Sequence, residues 1–523
     1  MLPTIPTIPR MMAASAARWP GRIAIEDDGQ CISYPELDRL RRRVAGALIR
    51  FGVKPGDRVA IWAPNGWQWI AAALGIHTAG AVLVPVNTRM KGQEAAYILG
   101  KSQARLVFCI GEFLGAAYPQ QLAGIRPDSL QEVVVLGESP RMADTLPWDE
   151  FLQWADEAAM AQADQVALGI LPDDASDILF TSGTTGYPKG VITAHGQNLS
   201  GMAVWAAAIA LSPGDRYLIV NPFFHAFGYK AGWLAGLMTG ATLYPLAVFD
   251  AGEVLKRIAR DRISVLPGAP TLFLSLLEDP RLQETDISSL RATVTGAASV
   301  PPALIARMRS ELGFKLVLTG YGLTESSGIA TLTLADDSAE TIARTCGRPL
   351  PGVEIRIAAE NGEALPAGEA GEVWIRGFNV MQGYFGDSGA TADAIDTDGW
   401  LHTGDVGVLD EGGYLAITDR LKDMFIVGGF NVYPAEIERT LALHPQIAQV
   451  AVIGVADDRM GEVGKAYIVP RAGFEPAGDE IVAWCRTRMA NYKVPREVEF
   501  VAALPLNASG KVLKNKLREL AHS

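Results

Sequence analysis

Cysteine, basic charge and long apolar runs are all scarce in this sequence. The 523 residues include four cysteines, which are far apart and never form a Cys-x-x-Cys pair: Cys31, Cys109, Cys346 and Cys485. A zinc site or a disulfide framework is therefore not expected. Each cysteine is predicted to be a small buried residue, and the protein is predicted to work in a reducing cytoplasm.

The chain also lacks an excess of basic residues. It carries 46 lysines and arginines against 58 aspartates and glutamates, which gives a net charge of −12. Nucleic acids and anionic lipid surfaces are bound by basic faces, so neither is expected as a partner. If the protein binds a polyanion, we expect it to do so at one local site.

No apolar run is long and continuous enough to cross a membrane. Residues 59–88 and 231–249 are uncharged, but glycine, proline and polar residues interrupt both stretches. A membrane-spanning helix needs about 20 continuous apolar residues. Residues 11–17 are too short an apolar run for a signal peptide, which needs a basic start and a longer apolar stretch,. We expect neither a transmembrane segment nor a signal peptide.

The sequence does contain enough apolar residues for a large core. Hydrophobic residues make up 49% of the chain, and 54 glycines and 31 prolines are spread along it without a period. At about 100–200 residues per domain, a chain of this length is expected to form two or more domains.

The first part of the chain alternates helix and strand patterns. Ser33 and Glu36 have capping-box spacing and predict a helix that ends at Gly52,. The alternation then continues with strands predicted at 58–62, 81–86, 216–220, 264–267 and 292–295, and helices at 67–79 and 251–260. This order predicts parallel sheets covered by helices.

The pattern changes in the last third of the chain. Short β-type segments at 353–357, 372–376 and 414–417 predict a small β-subdomain. Helices at 435–443 and 479–489 and strands at 450–455, 466–470 and 497–501 then predict a compact unit of about one hundred residues,. We predict a multidomain α/β protein with an N-terminal domain over 1–420 and a mobile C-terminal α+β domain over 421–523.

The strongest local signal is Phe180-Thr-Ser-Gly-Thr-Thr-Gly-Tyr-Pro-Lys-Gly190. Its glycines allow close approach of the backbone, and its hydroxyls and Lys189 can surround phosphate oxygens. The spacing is not that of a Walker A loop, because Pro188 occupies the position of that motif's second glycine,. The loop predicts a phosphate-binding site of another class.

Together with later motifs, this loop resembles the signature of the adenylate-forming superfamily of acyl-CoA synthetases, luciferases and peptide-synthetase adenylation domains. The matches occur in family order over roughly residues 20–515: Asn221-Pro-Phe-Phe-His-Ala-Phe-Gly228, Gly296-Ala-Ala298, Tyr321-Gly-Leu-Thr-Glu325, Gly399-Trp-Leu-His-Thr-Gly-Asp405, Asp419-Arg-Leu-Lys-Asp423, Gly428-Gly-Phe-Asn-Val-Tyr-Pro-Ala-Glu-Ile-Glu438 and Pro505-Leu-Asn-Ala-Ser-Gly-Lys511. Any one of these would be weak alone, whereas the ordered set is specific.

The resemblance implies a nucleotide site. The residues that it assigns to ATP and AMP are Thr181, Ser182, Gly183, Thr184, Thr185, Gly186, Lys189, Gly296, Ala297, Ala298, Tyr321, Gly322, Thr324, Asp405, Arg420 and Lys511. Among them Tyr321 would lie near adenine and Asp405 at the ribose hydroxyls. Glu325 and Thr184 would hold Mg²⁺, an ion that takes few carboxylates alongside phosphate oxygens.

The resemblance also gives roles to the C-terminal domain. Lys511 would bridge the acid's carboxylate and the α-phosphate during adenylation, although by composition alone it is one more surface lysine,. The domain would then rotate about a hinge at Lys422. Gly428, Gly429 and Phe430 would replace Lys511 and let the pantetheine arm of CoA pass close to the backbone.

The resemblance implies an acyl pocket beside His225. In the family this histidine orients the carboxylate or gates CoA entry. It could equally be a packed core histidine. Tyr229, Lys230 and Trp233 lie in the helix that would line this pocket. Lys230 is unusual beside an acyl chain, because burying a cation among methylenes is costly. It is predicted either to point to solvent or form a salt bridge, or to contact a distal oxygen of the substrate. This segment is similar to that of synthetases acting on propanoate-bearing ring fragments in bacterial steroid breakdown.

The implied activity is ATP-dependent ligation of a carboxylic acid to CoA by way of an acyl-AMP, with ATP, Mg²⁺ and coenzyme A. The acid is expected to be a medium- or long-chain acid or a cyclic keto acid of lipid, fatty-acid or steroid catabolism. Alternatives are an adenylation enzyme that loads a separate carrier protein, a luciferase-type monooxygenase, and a non-catalytic nucleotide-binding regulator. Glu325, Asp405, Arg420 and Lys511 together argue against a degenerate site. A homodimer in the cytoplasm is expected.

Overall fold

The computed structural model describes residues 6–137, 142–181, 187–296, 302–359, 361–420, 425–432, 434–505, 512 and 514–521. The chain forms two compact units. The large unit comprises Met1–Thr88, Ala96–Phe180 and Gly190–Thr418, and the small unit comprises Arg89–Ala95, Thr181–Lys189 and Asp419–Ser523. The predicted fold class is confirmed: a mixed α/β protein with a large N-terminal domain and a small C-terminal domain. The predicted boundary between residues 420 and 421 stays a prediction.

The α-helices occur in both units. They are α1 (Ile8–Arg18), α2 (Tyr34–Phe51), α3 (Trp67–Thr78), α4 (Gly92–Lys101), α5 (Tyr118–Leu122), α6 (Trp148–Leu152), α7 (Glu157–Gly169), α8 (His195–Ala208), α9 (Ala235–Thr239), α10 (Ala251–Asp261), α11 (Pro270–Glu278), α12 (Pro302–Ser310), α13 (Ala339–Arg344), α14 (Ser388–Ala394), α15 (Pro434–Ala442), α16 (Gly478–Arg486) and α17 (Lys514–Ala521). A π-helix covers Phe227–Leu234, and short 3₁₀ turns cover Pro280–Glu284 and Thr324–Ser326.

The strands form several sheets. They are β1 (Ile23–Asp27), β2 (Gln30–Ser33), β3 (Arg58–Trp62), β4 (Val82–Pro85), β5 (Leu106–Ile110), β6 (Glu112–Phe113), β7 (Ala116–Ala117), β8 (Glu132–Leu136), β9 (Leu146–Pro147), β10 (Ala175–Thr181), β11 (Lys189–Ala194), β12 (Arg216–Ile219), β13 (Thr242–Pro245), β14 (Ala292–Gly296), β15 (Leu316–Tyr321), β16 (Thr331–Leu332), β17 (Arg348–Pro349), β18 (Val353–Ala358), β19 (Ala370–Gly377), β20 (Gly383–Tyr384), β21 (Leu401–Leu409), β22 (Leu415–Arg420), β23 (Phe425–Val427), β24 (Phe430–Val432), β25 (Ile447–Asp457), β26 (Gly461–Pro470) and β27 (Glu497–Phe500).

The first predicted helix begins and ends where its capping residues indicated. The Ser33 hydroxyl accepts a hydrogen bond from the Glu36 amide, and the Ser33 amide donates to the Glu36 carboxylate at 2.8 Å. At the other end, Gly52 takes a left-handed conformation with φ of 96°. Both ends of the 18-residue helix α2 are thus satisfied by its own sequence,.

The largest sheet has eight strands in the order β20-β11-β10-β4-β3-β5-β8-β9. Its neighbours β10 and β4, β4 and β3, β3 and β5, and β5 and β8 are parallel. Helix α3 connects β3 to β4 and buries almost all of its residues. The predicted parallel, helix-covered sheet is confirmed, and its continuous apolar strands fit burial on both faces.

Two smaller sheets complete the helix-covered part of the large unit. One has the order β12-β13-β1-β2, and the other has the order β14-β15-β16-β17. A strand was predicted at 264–267, but the structure has only isolated bridges there, from Val265 to Tyr217 and Ala292 and from Gly268 to Thr295. Pro267, the last residue of this segment, has no amide donor, so a regular ladder cannot continue through it,.

The predicted β-subdomain is present as an antiparallel sheet, β18-β19-β21-β22. In the small unit, the order β24-β23-β26-β25, with β27 beside β26, agrees with the predicted α/β pattern. Helices α15 and α16 cover 434–442 and 478–486, close to the predicted ranges.

The cysteine prediction is correct at two positions and wrong at one. All four cysteines are free, Cys109 and Cys485 are buried, and Cys346 is half-buried. Cys31 is exposed, because it lies in the short edge strand β2, on the side away from Ile32. In the part of the chain that the structure describes, no helix is long and apolar enough to cross a membrane.

Candidate active site

Several of the predicted site residues lie outside the described residues. These are Ser182, Gly183, Thr184, Thr185, Gly186, Ala297, Ala298, Lys422 and Lys511. Their assigned roles stay predictions. The strands around the predicted phosphate loop are described: β10 ends at Thr181, and β11 begins at Lys189. The loop therefore connects two strands of the eight-stranded sheet.

The residues assigned to adenosine lie at the ends of two parallel strands. In β14 and β15, Gly296 is paired with Gly320, one residue before Tyr321. A Cβ atom at Gly296 would lie 3.1 Å from the Gly320 carbonyl oxygen, and one at Gly322 would lie 2.5 Å from the backbone of Ile329. These positions need glycine because the neighbouring backbone is already in contact. Carboxyl ends of parallel strands are the usual place for a ligand.

Tyr321 and Asp405 are brought together by different sheets. The Tyr321 hydroxyl donates a hydrogen bond to the Asp405 carboxylate at 2.7 Å, and this carboxylate is buried. Asp405 lies in β21 of the β-subdomain, whereas Tyr321 ends β15. The pair places an oriented carboxylate acceptor next to an aromatic ring, which suits a ribose and a base. Their ligand roles remain predictions.

Glu325 is held by a tyrosine that the sequence did not single out. The Tyr384 hydroxyl donates to Glu325 Oε1 at 3.1 Å, and the Met381 amide donates to the Glu325 carbonyl at 2.8 Å. Glu325 lies in the 3₁₀ turn Thr324–Ser326, and Tyr384 lies in β20, which pairs with β11. Strand β20 therefore links Glu325 to the strand that follows the predicted phosphate loop.

A single oriented carboxylate fits Mg²⁺ in this setting. No cluster of three or more histidine, cysteine or acidic ligands occurs among the described residues. Such a cluster would suit a resident metal held by protein alone. Mg²⁺ instead keeps water and phosphate oxygens and needs one or two carboxylates. Glu325, oriented by Tyr384, satisfies that requirement.

His225 follows a turn that is organised by Asn65. The Asn65 side-chain amide donates to the Asn221 carbonyl at 3.0 Å and accepts from the Phe223 amide at 2.8 Å. The His225 amide donates to the Pro222 carbonyl at 3.0 Å. A Cβ atom at Gly228 would lie 2.3 Å from two carbonyl oxygens of this turn, so only glycine fits. Asn65 carries no local sequence signal for this role, because its partners are more than 150 residues away.

The segment after His225 is a π-helix, Phe227–Leu234. π-Helical segments are rare and frequently occur at functional sites. Tyr229, Lys230 and Trp233, the other residues assigned to the acyl pocket, are each fully buried in it. The rings of Tyr229 and Trp233 stack with centroids 4.9 Å apart, and Trp69 of α3 meets Trp233 edge-on at 6.0 Å.

The Lys230 ammonium is paired inside the protein. It lies 2.9 Å from the Thr193 hydroxyl and 3.4 Å from Asp177 Oδ1, and both lysine and aspartate side chains are 0% exposed. This is the salt bridge that the sequence left open as one alternative. Burial lowers the pKa of Lys230, and the Asp177 carboxylate opposes that shift,. A contact of Lys230 with substrate stays a prediction.

Two neutral histidines lie beside this ion pair. Burial lowers the pKa of His77 well below its ordinary value and lowers that of His195 to about 4. Their rings are 5.4 Å apart, and His77 Nε2 lies 3.0 Å from the Tyr229 hydroxyl. Neither histidine was singled out from sequence, since a lone histidine in an apolar segment carries no local signal.

The residues assigned to CoA lie in the small unit. Gly428 and Gly429 both have positive φ, of 55° and 84°, in the turn between β23 and β24. Phe430 stacks on Tyr492 with ring centroids 4.7 Å apart, and the Arg89 guanidinium lies 4.0 Å from the Phe430 ring centroid. Two adjacent left-handed residues without side chains would let a ligand approach the backbone closely, but the pantetheine contact stays a prediction.

Comparisons with known proteins agree with this arrangement. The family model of the AMP-binding enzyme matches residues 12–385, and that of the AMP-binding enzyme C-terminal domain matches residues 436–511. A solved structure with a TM-score of 0.83 and 29% identity covers 97% of this chain and 98% of its own. It is a double mutant of the o-succinylbenzoate CoA synthetase MenE from Bacillus subtilis, bound with the product analogue OSB-NCoA.

Two curated relatives have the same name, 3-[(3aS,4S,7aS)-7a-methyl-1,5-dioxo-octahydro-1H-inden-4-yl]propanoyl:CoA ligase. The one from Rhodococcus jostii (strain RHA1) is 48% identical over 98% of this chain and 98% of its own. The one from Mycobacterium tuberculosis (strain ATCC 25618 / H37Rv) is 49% identical over 99% of this chain and 100% of its own. Matches along nearly the whole length show that the chain belongs to the AMP-binding enzyme family and is an AMP-forming acyl-CoA synthetase.

Proposed function

We propose that the protein activates a propanoate attached to a fused, ketone-bearing ring system and transfers it to CoA. The observation that carries this substrate class is the shared name of the two relatives described above, which align over nearly the whole chain. The similar run Phe223-Phe-His-Ala-Phe-Gly-Tyr-Lys-Ala-Gly232, noted from the sequence, supports the same subgroup. Medium- and long-chain acids are the competing substrates.

In the first half-reaction, a carboxylate oxygen of the acid attacks the α-phosphorus of ATP, and pyrophosphate leaves. We assign Tyr321 and Asp405 to hold the adenosine, supported by their hydrogen bond at 2.7 Å. Glu325 and Thr184 would hold Mg²⁺, which neutralises phosphate charge when bound. Lys511 would bring its ammonium to the carboxylate and the α-phosphate.

In the second half-reaction, the CoA sulfur attacks the acyl carbon, the acyl–oxygen bond to AMP breaks, and the thiol proton passes to solvent. We assign Gly428, Gly429 and Phe430 to the pantetheine arm, supported by the two positive φ angles. His225, next to the π-helix, would orient the carboxylate or gate the entry of CoA. Lys422 would be the hinge between the two half-reactions.

The experiment is pyrophosphate release and thioester formation across four acids: short-chain, long-chain, aromatic and keto-cyclic with a propanoate side chain. We expect the keto-cyclic acid to give the highest kcat/KM and to yield a thioester only when CoA is added. Higher kcat/KM for the long-chain acid would overturn the substrate class. Adenylate without thioester would favour loading of a carrier protein, and oxygen consumption would favour a luciferase-type monooxygenase.

We also propose a cytoplasmic location and a homodimeric assembly. ATP and CoA are the co-substrates of the family, and the four cysteines are free, which fits a reducing cytoplasm,. A homodimer is proposed alongside. Light scattering on the purified protein tests it, and a monomer mass of about 56 kDa would exclude it.

A further inference from the structure

A buried polar cluster joins the π-helix to the eight-stranded sheet. Asp177 is at its centre and accepts hydrogen bonds from several side chains, all in the large unit. They are Ser176 at 2.7 Å, Thr193 at 2.7 Å, Asn198 at 2.6 Å and Tyr229 at 3.4 Å, with the Lys230 ammonium at 3.4 Å. The Asp177 carboxylate thus contacts two consecutive residues of the π-helix. It also contacts one residue each in β10, β11 and α8.

Thr193 adds an indirect contact between Lys230 and Asp177 to the direct one. Its hydroxyl accepts from the Lys230 ammonium at 2.9 Å and donates to Asp177 Oδ1 at 2.7 Å. The ammonium therefore reaches the carboxylate both directly and through this hydroxyl. Both charged side chains are 0% exposed, so neither can reach water unless the π-helix moves.

The elements that carry this cluster are those that the reaction must align. Asp177 lies in β10, which leads into the predicted phosphate loop, and Thr193 lies in β11, which leaves it. Lys230 lies five residues after His225, in the π-helix of the predicted acid-binding segment. One ion pair therefore ties the strands beside the phosphate loop to the segment beside the carboxylate.

Stability alone does not account for such a pair. Taking two charges out of water costs more than their attraction commonly returns, and apolar residues of similar size are often at least as stable. A π-helix is likewise less favourable than an α-helix and is retained mainly where function needs it. A buried ion pair that fixes a π-helix is thus better explained by the geometry that it imposes.

We propose that the Asp177–Lys230 pair positions the acid-binding segment for adenylation, so that the carboxylate meets the α-phosphate in line. Lys230 is then a positioning residue and not a contact of the acid's distal oxygen. The proposal rests on the adenylating function and does not depend on which acid is used. Misplacement of about 1 Å at a reacting centre can slow the reaction by about 100-fold.

The test compares Lys230→Met, Asp177→Asn and the double variant in full-length enzyme. We expect each single variant to lose about 10–100-fold in kcat for pyrophosphate release with little change in the KM for ATP. The ratio of kcat/KM between the best and second-best acid should stay within about threefold of the wild-type ratio. Because it uses whichever two acids the enzyme accepts, this ratio is measurable even if the proposed substrate is wrong.

The double variant separates positioning from stability. It removes both charges, so its thermal midpoint should recover towards wild type while pyrophosphate release stays slow. Recovery of both together would show a merely structural pair and overturn the proposal. A changed preference between acids in Lys230→Met would also overturn it, because Lys230 would then contact substrate.

A matched control uses another ion pair of the same unit. Arg105 and Asp57 lie 2.7 Å apart, away from the predicted site segments, and Arg105→Met should lower the thermal midpoint without slowing pyrophosphate release in the folded fraction. If Lys230→Met does not fold, Thr193→Val and Tyr229→Phe remove single hydroxyls of the same cluster. Wild-type adenylation in both of these would overturn the proposal.

Discussion

At the scale of single residues, two tyrosines orient two of the predicted site carboxylates. Tyr321 donates to Asp405 at 2.7 Å, and Tyr384 donates to Glu325 at 3.1 Å. A hydroxyl that donates to one carboxylate oxygen restricts the direction in which the other lone pairs point. In a site that must receive Mg²⁺ and a ribose, such restriction lowers the cost of ordering on binding.

Tyr384→Phe should weaken the response of the enzyme to Mg²⁺ more than it lowers the stability of the folded state. Without the hydroxyl, Glu325 loses one of the donors that fix its carboxylate, and loss of such a partner typically weakens metal affinity at least about tenfold. We expect the Mg²⁺ concentration for half-maximal pyrophosphate release to rise by about that factor. Tyr414→Phe removes a comparable hydrogen bond, to Asp337, outside the predicted site and should leave it unchanged. An unchanged Mg²⁺ response in Tyr384→Phe would contradict this role.

The same residues show how much of the site can be predicted from the sequence. Tyr321, Glu325 and Asp405 stand in motifs whose order identified them, and the structure brings Tyr321 and Asp405 into direct contact. Tyr384 and Asn65 carry no local signal, because their partners lie 59 and more than 150 residues away. A hydrogen bond between distant segments depends on the tertiary fold, which no spacing rule encodes.

At the scale of elements, prediction succeeded where residues next to a helix cap both of its ends. Helix α2 was predictable because Ser33, Glu36 and Gly52 satisfy its terminal groups locally,. The π-helix was not, since its wide turn follows from what surrounds it: Gly228 against the 221–222 carbonyls, and Lys230 against Asp177. The segment is only eight residues long, too short for its sequence pattern to distinguish a π-helix from an α-helix,.

Helices α3 and α8 meet through imidazoles that must stay neutral. His77 lies in the last turn of α3 and His195 begins α8, and their rings lie 5.4 Å apart. The Tyr229 hydroxyl contacts His77, and the carboxylates of Asp177 and Asp174 act on His195. The folded pKa of His195 is about 4, below its ordinary value, so the unfolded chain binds more protons as the pH falls from about 6.5 towards 4,. Stability from neutral His195 is therefore complete above that range and is lost within it.

His195→Asn should flatten this pH dependence. Asparagine can still accept the Ile8 amide, which now donates to His195 Nδ1 at 3.4 Å, but it cannot take up a proton. Each such histidine adds up to about 1.4 kcal/mol per pH unit to the slope of unfolding free energy. Urea unfolding at pH 7, 6 and 5 should give a smaller fall for the variant than for wild type. His195→Gln is the control for side-chain shape, and equal slopes in all three proteins would contradict the prediction.

At the scale of the whole molecule, an acidic protein is expected to bind anionic substrates through hydrogen-bond donors at local sites. The net charge of −12 describes the surface, whereas the predicted phosphate and CoA contacts use backbone at glycines and a few cations. The predicted sites also divide between the units, with Glu325 and Asp405 in the large unit and Gly428 and Gly429 in the small one. Lys511 is predicted to act from the C-terminal domain. The two half-reactions should therefore respond differently to changes in the small unit.

Lys511→Ala should separate the two half-reactions. If Lys511 bridges the carboxylate and the α-phosphate, its loss removes the cation that adenylation requires, but CoA transfer does not use it. We expect pyrophosphate release to fall by at least about 100-fold, while thioester formation from a supplied acyl-adenylate stays within about threefold of wild type. Gly429→Ala is the reciprocal variant, because a side chain at a φ of 84° strains the turn predicted to receive the pantetheine arm,. It should slow thioester formation and spare pyrophosphate release. Equal loss of both half-reactions in Lys511→Ala would refute the division of labour between them.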